Sequence, residues 1–359
     1  MKRILPYFAL FTWALVANAQ WTDQSSGSTH WMNSLHFVDR NTGWICGFNG
    51  SDNMLLHTTD GGTNWIPQNL PVTTFISEVT FLNATTGWAV GVGGKIRKSV
   101  DGGETWTTQT IATTKAVQSV WFADENNGWV VGESGIIFHS TDGGETWNPQ
   151  TSGVSNRLVR VRFLNSQVGW ASGWGGTILH TTDGGTTWTQ QTSPSQFDLI
   201  SISIVDENNV WISGNLGGGG KGNANTLFDN GHLIHTSDAG ANWEFQRIST
   251  EYINAVSFVD LMNGWTFGSG GHIFHSNDGG STWQQQISGG DDHLVMGQFT
   301  DILNGWVTGG NGVIKNTING GTMVSVDEYE LKNGMKISNE PNPFTGTTKI
   351  TFSLSETSD

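Results

Sequence analysis

From Ser34 onward, short apolar runs alternate with polar, glycine-bearing turns, and the same order of runs returns about every 41 residues. Each unit opens on a stretch that ends in Phe37, Phe81, Phe122, Phe163, Ile204, Phe258 or Phe299, and continues with a second stretch carrying Trp44, Trp88, Trp129, Trp170, Trp211, Trp265 or Trp306. A glycine-rich break, a third apolar run, an aspartate turn and a short polar stretch complete it. Runs of five or six residues rich in Val, Ile, Phe and Trp, bounded by glycine and Asx turns, predict strands. No long glycine-free window shows a 3.6-residue stripe, so helix is not expected. The second-strand tryptophans lie 44, 41, 41, 41, 54 and 41 residues apart, which places an insertion, Asn215 to Asn230, in the fifth unit. Segments such as Gly135-Ile136-Ile137-Phe138 are apolar on both faces, and one four-stranded sheet cannot cover both. Sheets stacked in a ring do. The expected fold is all-β: a seven-bladed β-propeller with four-stranded blades over residues 20–324.

The turn between third and fourth strands repeats as Ser/Thr-x-Asp-x-Gly-x-x-Trp, beginning at Thr58, Ser99, Ser140, Thr181, Thr236 and Ser276. Its aspartates are Asp60, Asp101, Asp142, Asp183, Asp238 and Asp278, and its tryptophans are Trp65, Trp106, Trp147, Trp188, Trp243 and Trp283. A carboxylate can accept backbone N–H bonds inside the turn, glycine tolerates positive φ, and the Trp ring is expected to bury beneath the turn. The pattern resembles the Asp-box, a structural hairpin of sialidase-type and related propellers, which makes these aspartates turn residues and not acids or bases.

The seventh turn, Thr317-Ile318-Asn319-Gly320-Gly321-Thr322-Met323-Val324, has Asn in place of Asp and Val in place of Trp. Gln20-Trp21-Thr22-Asp23-Gln24-Ser25 matches the strands that follow intact boxes, such as Trp147-Asn148-Pro149-Gln150-Thr151. Trp21 to Ser25 is therefore expected to supply the outer strand of the last blade and close the ring.

Residues 1–19 read as a secretory signal peptide: Lys2 and Arg3, an apolar run from Ile4 to Val16, and the small-residue site Ala17-Asn18-Ala19. No stretch of the mature chain is long and apolar enough to span a bilayer as a helix. Residues 325–336 read as a linker. In 337–359, Asn339-Glu340-Pro341-Asn342-Pro343-Phe344 and the alternating Thr347-Thr348-Lys349-Ile350-Thr351-Phe352-Ser353-Leu354 resemble the start of the C-terminal sorting domain of Bacteroidetes proteins exported by type IX secretion. Glu340 stands where that family often has an aromatic, and the family domain continues for several more strands. The resemblance implies the type IX machinery as a partner and a secreted or cell-surface location.

Composition narrows the chemistry. Forty-nine glycines and 18 tryptophans with 13% charged residues fit many turns and repeated aromatic packing. A formal charge of −15 disfavours nucleic acid, whose phosphates would be repelled. Cys46 is the sole cysteine, so no internal disulfide forms, and its setting in Trp44-Ile45-Cys46-Gly47 predicts a buried thiol. His57, His139, His180, His235 and His275 precede boxes in five different blades, so they are not expected to converge on a metal. No cofactor is expected.

The Gly-Trp strand followed by the Thr-x-Asp-Gly-Gly-x-Thr-Trp turn is similar to the photosystem II stability/assembly-factor-like propeller family over residues 20–324. In that family the resemblance implies assembly of a membrane complex through an arginine-rich surface. This chain has seven arginines, with Arg157, Arg160 and Arg162 on one strand, and departs from that picture by its acidic balance. The resemblance therefore implies the fold, and the reading favoured for function is a secreted, non-catalytic binding or scaffold module for a protein or glycan. The alternative is an extracellular glycoside hydrolase, sialidase-like or xyloglucanase-like. Sialidases need a tyrosine nucleophile, and the mature chain offers Tyr252 and Tyr329; a hydrolase carboxylate pair would have to come from Glu78, Asp198, Glu251, Asp291 and Asp292, which no motif selects.

Strand order places the inter-blade connections and the glycine-rich hairpins on one face. The residues six before each first-strand Phe or Ile vary there between blades, and Trp31, Phe75, Arg157, Asp198, Tyr252 and His293 are expected around the channel mouth with Trp174 and Phe228 nearby.

Overall fold

The computed structural model describes residues 20–70, 75–215 and 231–321, and the backbone of three further strands, Tyr329–Glu330, Lys336–Glu340 and Lys349–Ser353. Residues 1–19, Phe228 with most of the fifth-blade insertion, and the Pro341 to Phe344 motif lie outside the described residues.

Seven four-stranded antiparallel sheets follow one another along the chain, with the second strand of each paired to the first and third. The first blade is Trp31–Phe37, Gly43–Phe48, Asn53–Thr58 and Ile66–Gln68. The last is Leu294–Phe299, Gly305–Gly309 and Ile314–Thr317, and its fourth strand is Thr22–Gln24 from the N-terminus, paired Thr22 to Asn316 and Gln24 to Ile314. This is the seven-bladed propeller with N-terminal closure that the repeat pattern predicts. Among the described residues no helix is long and apolar enough to cross a membrane.

The core lies between blades and is built from the Gly-Trp strands. Trp44, Trp88, Trp129, Trp170, Trp211, Trp265 and Trp306 are all buried, and six of them stack on the first-strand phenylalanine of the next blade at ring separations of 3.5–3.9 Å. At 150–250 Å² each, such a ring is worth about 4–6 kcal/mol of apolar burial. The glycine before each tryptophan is there for that phenylalanine of its own blade: a Cβ on Gly43 would sit 2.5 Å from the Phe37 ring. Blade 5 exchanges both partners, with Ile204 in place of Phe and Val210 in place of Gly, so the smaller side chain releases room for the larger.

The Asp-box tryptophans sit further out than the sequence suggests. Trp147, Trp188 and Trp243 are 8–9% exposed, whereas Trp65, Trp106 and Trp283 are only half-buried. Five of them meet the first-strand phenylalanine of their own blade edge-on, as Trp188 meets Phe163 at 5.7 Å. Trp21 takes that place in the last blade, edge-on to Phe299 at 5.7 Å and buried to 1% exposure.

At four of the seven junctions, blades 3 to 4, 4 to 5, 6 to 7 and 7 to 1, a glutamine three residues after the outer-strand tryptophan links one blade to the next. Gln150 Nε2 donates to Gly184 O in the next box and its Oε1 accepts Trp188 Nε1; Gln24 does the same with Gly61 and Trp65 of blade 1. The ring therefore closes with the same hydrogen bonds that join blades 3 to 4, 4 to 5 and 6 to 7.

Candidate functional site

Every first strand carries a β-bulge near its start, as between Met32 and Ser34 or Leu158 and Arg160, which rotates the residues after it and turns successive side chains toward the channel or the neighbouring blade. Residues before the bulge lie at the mouth, where the inter-blade connections arrive.

The mouth residues form separate groups around the ring. Trp31, 45% exposed, packs its ring 5.0 Å from His293 across the junction of blades 1 and 7. His293 is held by Ser269 Oγ at 2.8 Å, and burial lowers its pKa, so it is neutral at pH 7. Phe75 meets Phe48 edge-on at 5.3 Å between blades 1 and 2. Tyr252, 36% exposed, stands in the connection into blade 6, whose carbonyl accepts the Ser269 N–H. Arg157, Trp174 and Asp198 do come together. The Arg157 guanidinium lies over the Trp174 ring at 5.1 Å, and Asp198, 3% exposed, accepts the Gly175 N–H at 3.1 Å and so fixes the hairpin that presents Trp174. Arg157, Trp174 and Gly175 line a cavity of about 390 Å³ with Glu133, Ser134, Ser155 and Asn156. Asp198 thus supports this wall from beneath. Asn156 Nδ2 reaches Trp174 O at 3.2 Å and Thr177 Oγ1 at 2.8 Å, which ties the two rims of the cavity together.

Deeper in the channel is a cluster that sequence reading did not assemble. Glu78 of blade 2 accepts Arg160 Nη1 at 2.6 Å and Arg162 Nη2 at 2.8 Å on one carboxylate oxygen, and the Val120 N–H at 2.8 Å on the other. Burial pushes the Glu78 carboxyl up, but Arg162 and Arg160 outweigh it and hold the group down at about 2. Arg160 Nε also donates to Ile200 O, and Arg162 lies over Trp121 at 4.8 Å, so the cluster joins blades 2, 3, 4 and 5. His36 faces the same cluster from blade 1; burial, and then Arg162, lower it to about 4. The three charged residues are each named by the sequence, but separations of 82 and 84 positions gave no signal that they meet.

Other candidates have structural roles. His57, His139, His180, His235 and His275 each stack on the Gly-Trp indole of their own blade at 4.3–4.7 Å, away from one another. Among the described residues no three His, Cys, Asp or Glu side chains gather as a metal site. Cys46 is buried, and burial pushes its thiol up to about 12. Of the five carboxylates considered for hydrolysis, Glu78 and Asp198 are engaged as above and Asp292 pairs with Lys315 at 3.1 Å.

Residues 63–152 match the family model described as photosynthesis system II assembly factor YCF48. A structure of YCF48 bound to D1 peptide superposes with a TM-score of 0.67 at 21% identity, covering 85% of this chain and 99% of that one. The fold is a YCF48-like β-propeller. Two enzymes share its architecture at lower identity. A virginiamycin B lyase from Staphylococcus aureus with quinupristin gives a TM-score of 0.68 at 13% identity, covering 83% of this chain and 98% of that one. The GH74 enzyme of Niastella koreensis gives 0.53 at 13%, covering 94% and 73%. No curated protein matches the sequence. At these identities the likeness is one of fold, and the function of this YCF48-like propeller has to be argued from its own side chains.

Proposed function

We propose that the chain is a secreted or cell-surface, non-catalytic binding module, delivered through type IX secretion, that captures a protein segment on the face where inter-blade connections meet the glycine-rich hairpins. The observation that carries this is the Arg157–Trp174 cavity: a fixed cation and an aromatic ring, 36% exposed, held by a buried carboxylate at a rim that differs from blade to blade. Trp31 and Tyr252 add exposed aromatic surface on the same face, and rigid, amphipathic rings of this kind are what interfaces use as anchors. A YCF48 with a bound D1 peptide supports a peptide as ligand over a sugar. The hydrolase alternative gains little from the GH74 likeness, since Glu78 is held ionised by Arg160 and Arg162 and Asp198 is taken up by the Gly175 N–H.

The full chain, screened in parallel against a peptide display and a glycan array with product analysis, tests the reading. Peptide capture that falls at least tenfold in Trp174→Ala and in Tyr252→Ala, with an unchanged melting curve, supports it. Binding of glycans alone overturns the ligand class, and release of a cleaved product overturns the non-catalytic role.

A further inference from the structure

The glycine-rich hairpin of blade 4, Trp174–Gly176, has a cavity on either side. One is the Arg157–Trp174 cavity; the other, also about 390 Å³, is lined by Gly175 and Gly176 together with the connection into blade 5, from Gln190 to Gln196. Gly175 belongs to both linings. The hairpins of blades 3, 6 and 7 make the same three-residue turn, and its last residue has to be glycine, because a Cβ on Gly135, Gly176, Gly271 or Gly312 would come within 1.8–2.1 Å of a carbonyl oxygen of the adjoining connection. The middle residue has no such constraint. Its φ is positive, yet Ser134 and Asn311 hold it at 57° and 56° in blades 3 and 7, and a Cβ on Gly175, at 64°, would meet only Asn156 Nδ2, at 3.5 Å. Blade 4 thus keeps the ridge between its two cavities as bare main chain.

The two linings differ in chemistry. In the first, the Glu133 carboxylate accepts the Ala116 N–H at 3.3 Å, whereas Arg157 Nε is buried with no hydrogen-bond partner among the described residues. A guanidinium on the face of an indole keeps its in-plane N–H groups directed away from the ring, and a carboxylate is the group that takes two of them at once. At physiological salt charges are screened over about 8 Å, so the formal charge of −15 does not decide this contact. In the second cavity the lining residues are glycine, glutamine, threonine and serine, and part of it is held rigid: Ser195, 4% exposed, pairs with His232 Nε2 at 3.0 Å and accepts the Phe197 N–H at 3.1 Å, while the Gly176 N–H donates to Phe197 O at 2.7 Å. Gln190, Thr192 and Gln196 are exposed and bring amide and hydroxyl groups to it. Such a set offers donors and acceptors without a counter-charge, so it suits an uncharged polar side chain and penalises an ionised one.

We infer that the two cavities are halves of one track and that, resting on the reading of this face as a peptide site, its occupant is an extended segment whose main chain crosses Gly175, with an acidic side chain against Arg157 and, two residues away, an uncharged polar side chain among Gln190, Thr192 and Gln196. An extended chain turns every second side chain to the same side, about 6.6 Å apart, and a ridge one residue wide is what that spacing straddles.

Heptapeptide display selected on the full chain at about 0.15 M salt tests it. Recovered peptides should pair Asp or Glu with Asn, Gln, Ser or Thr two positions away. Gly175→Asn puts on the ridge the residue type that blade 7 carries at Asn311, and should lower capture of those peptides at least tenfold with an unchanged melting curve. Gly93→Asn makes the same change in blade 2, where a Cβ meets nothing within 4 Å, and should leave capture as it is. The double variant Gln190→Ala, Gln196→Ala should weaken capture and abolish the preference over a peptide whose uncharged polar residue is replaced by Ala; it serves as the readout should Gly175→Asn melt early. Capture that Trp174→Ala lowers, but that neither Gly175→Asn nor the glutamine variant changes, overturns the track and leaves the single-cavity reading in place. Selected peptides without the acidic and polar pair overturn the assigned chemistry. If no peptide is captured, the peptide reading falls and the track with it, and a glycan whose capture Gly175→Asn abolishes would give the groove to a sugar instead.

Discussion

The Thr181 hydroxyl donates to Asp183 Oδ1 at 2.8 Å and accepts the Gly185 N–H at 2.8 Å, while Asp183 itself stands exposed and accepts the Thr187 N–H. The same pair recurs in every intact box, down to Ser276 and Asp278. The buried polar atom of the turn is thus the hydroxyl, and the aspartate orients it from solvent. Thr181→Val keeps the shape and strands a buried N–H, so it should cost about 1–3 kcal/mol, read from the urea midpoint. Asp183→Ala should cost less; a larger loss would return the aspartate to the central role. In the channel, Glu78→Gln leaves two largely buried guanidinium groups facing each other without a counter-charge, and a loss of about 3–5 kcal/mol is expected from the same measurement. A neutral outcome would mean that water or a bound anion already compensates the arginines.

Elements act through the strand that closes the ring and through the stacked histidines. Trp21 is buried against Phe267 and Phe299, its Nε1 donates to Gln286 Oε1 at 3.0 Å, and Asp23 beside it pairs with Lys315. Burial works against the Lys315 charge, yet Asp23 and Asp292 raise its pKa overall, so the closing strand holds a fixed cation. Trp21→Ala should destabilise by about 3–5 kcal/mol, and deletion of Gln20 to Ser25 should also bare the blade 7 edge and promote aggregation, followed by thermal melting with light scattering. The histidines set the pH response. Burial lowers the pKa of His57, His139, His180, His235 and His275, and lowers His36 to about 4 from its usual 6.5. The unfolded chain then takes up protons that the folded chain refuses, so their stability is complete above pH 6.5 and drains away as pH falls below it, for His36 down to about 4. His36 alone accounts for up to about 3 kcal/mol of this. Glu78, held near 2, loses its contribution only below the ordinary carboxylate range. Melting temperature should be level from pH 8 to 7 and fall between 6.5 and 4, with a shallower fall in His36→Gln; a level profile through pH 5 would refute the neutral-histidine account.

For the whole molecule, blade order separates two faces with different demands. The Asp-box face is bound by repetition, since four of the boxes accept the indole N–H of a neighbouring Gly-Trp strand, from Trp44, Trp129, Trp265 and Trp306. The opposite face has no such obligation, and there the connections differ and the fifth blade spends its insertion. Replacing residues 216–230 with a Trp-Gly-Gly turn like that of blade 4 should leave the melting curve intact and weaken peptide capture on the proposed binding face; full binding by this variant, measured by calorimetry, would move the site elsewhere on the ring.

Blade number, strand order and ring closure were all legible in the chain, because each blade is a local unit whose hydrophobic period, Gly-Trp pair and box lie within about 41 residues, and because the Trp21 strand repeats a pattern found beside every other box. Local pattern also marked Arg157 and Trp174 as rim residues. What it could not show is which blades face each other across the axis. Glu78 meets Arg160 and Arg162 only because two blades of rotation bring positions 82 and 84 apart to the same point, and Asp198 meets Gly175 only because blade 5 packs beside the hairpin of blade 4. The glutamines three residues after each box tryptophan were visible as letters, but their partners are in the next blade. Sequence determined the unit and its count, since those are set by contacts near in the chain; the ring determined the site, since its neighbours are created by closure.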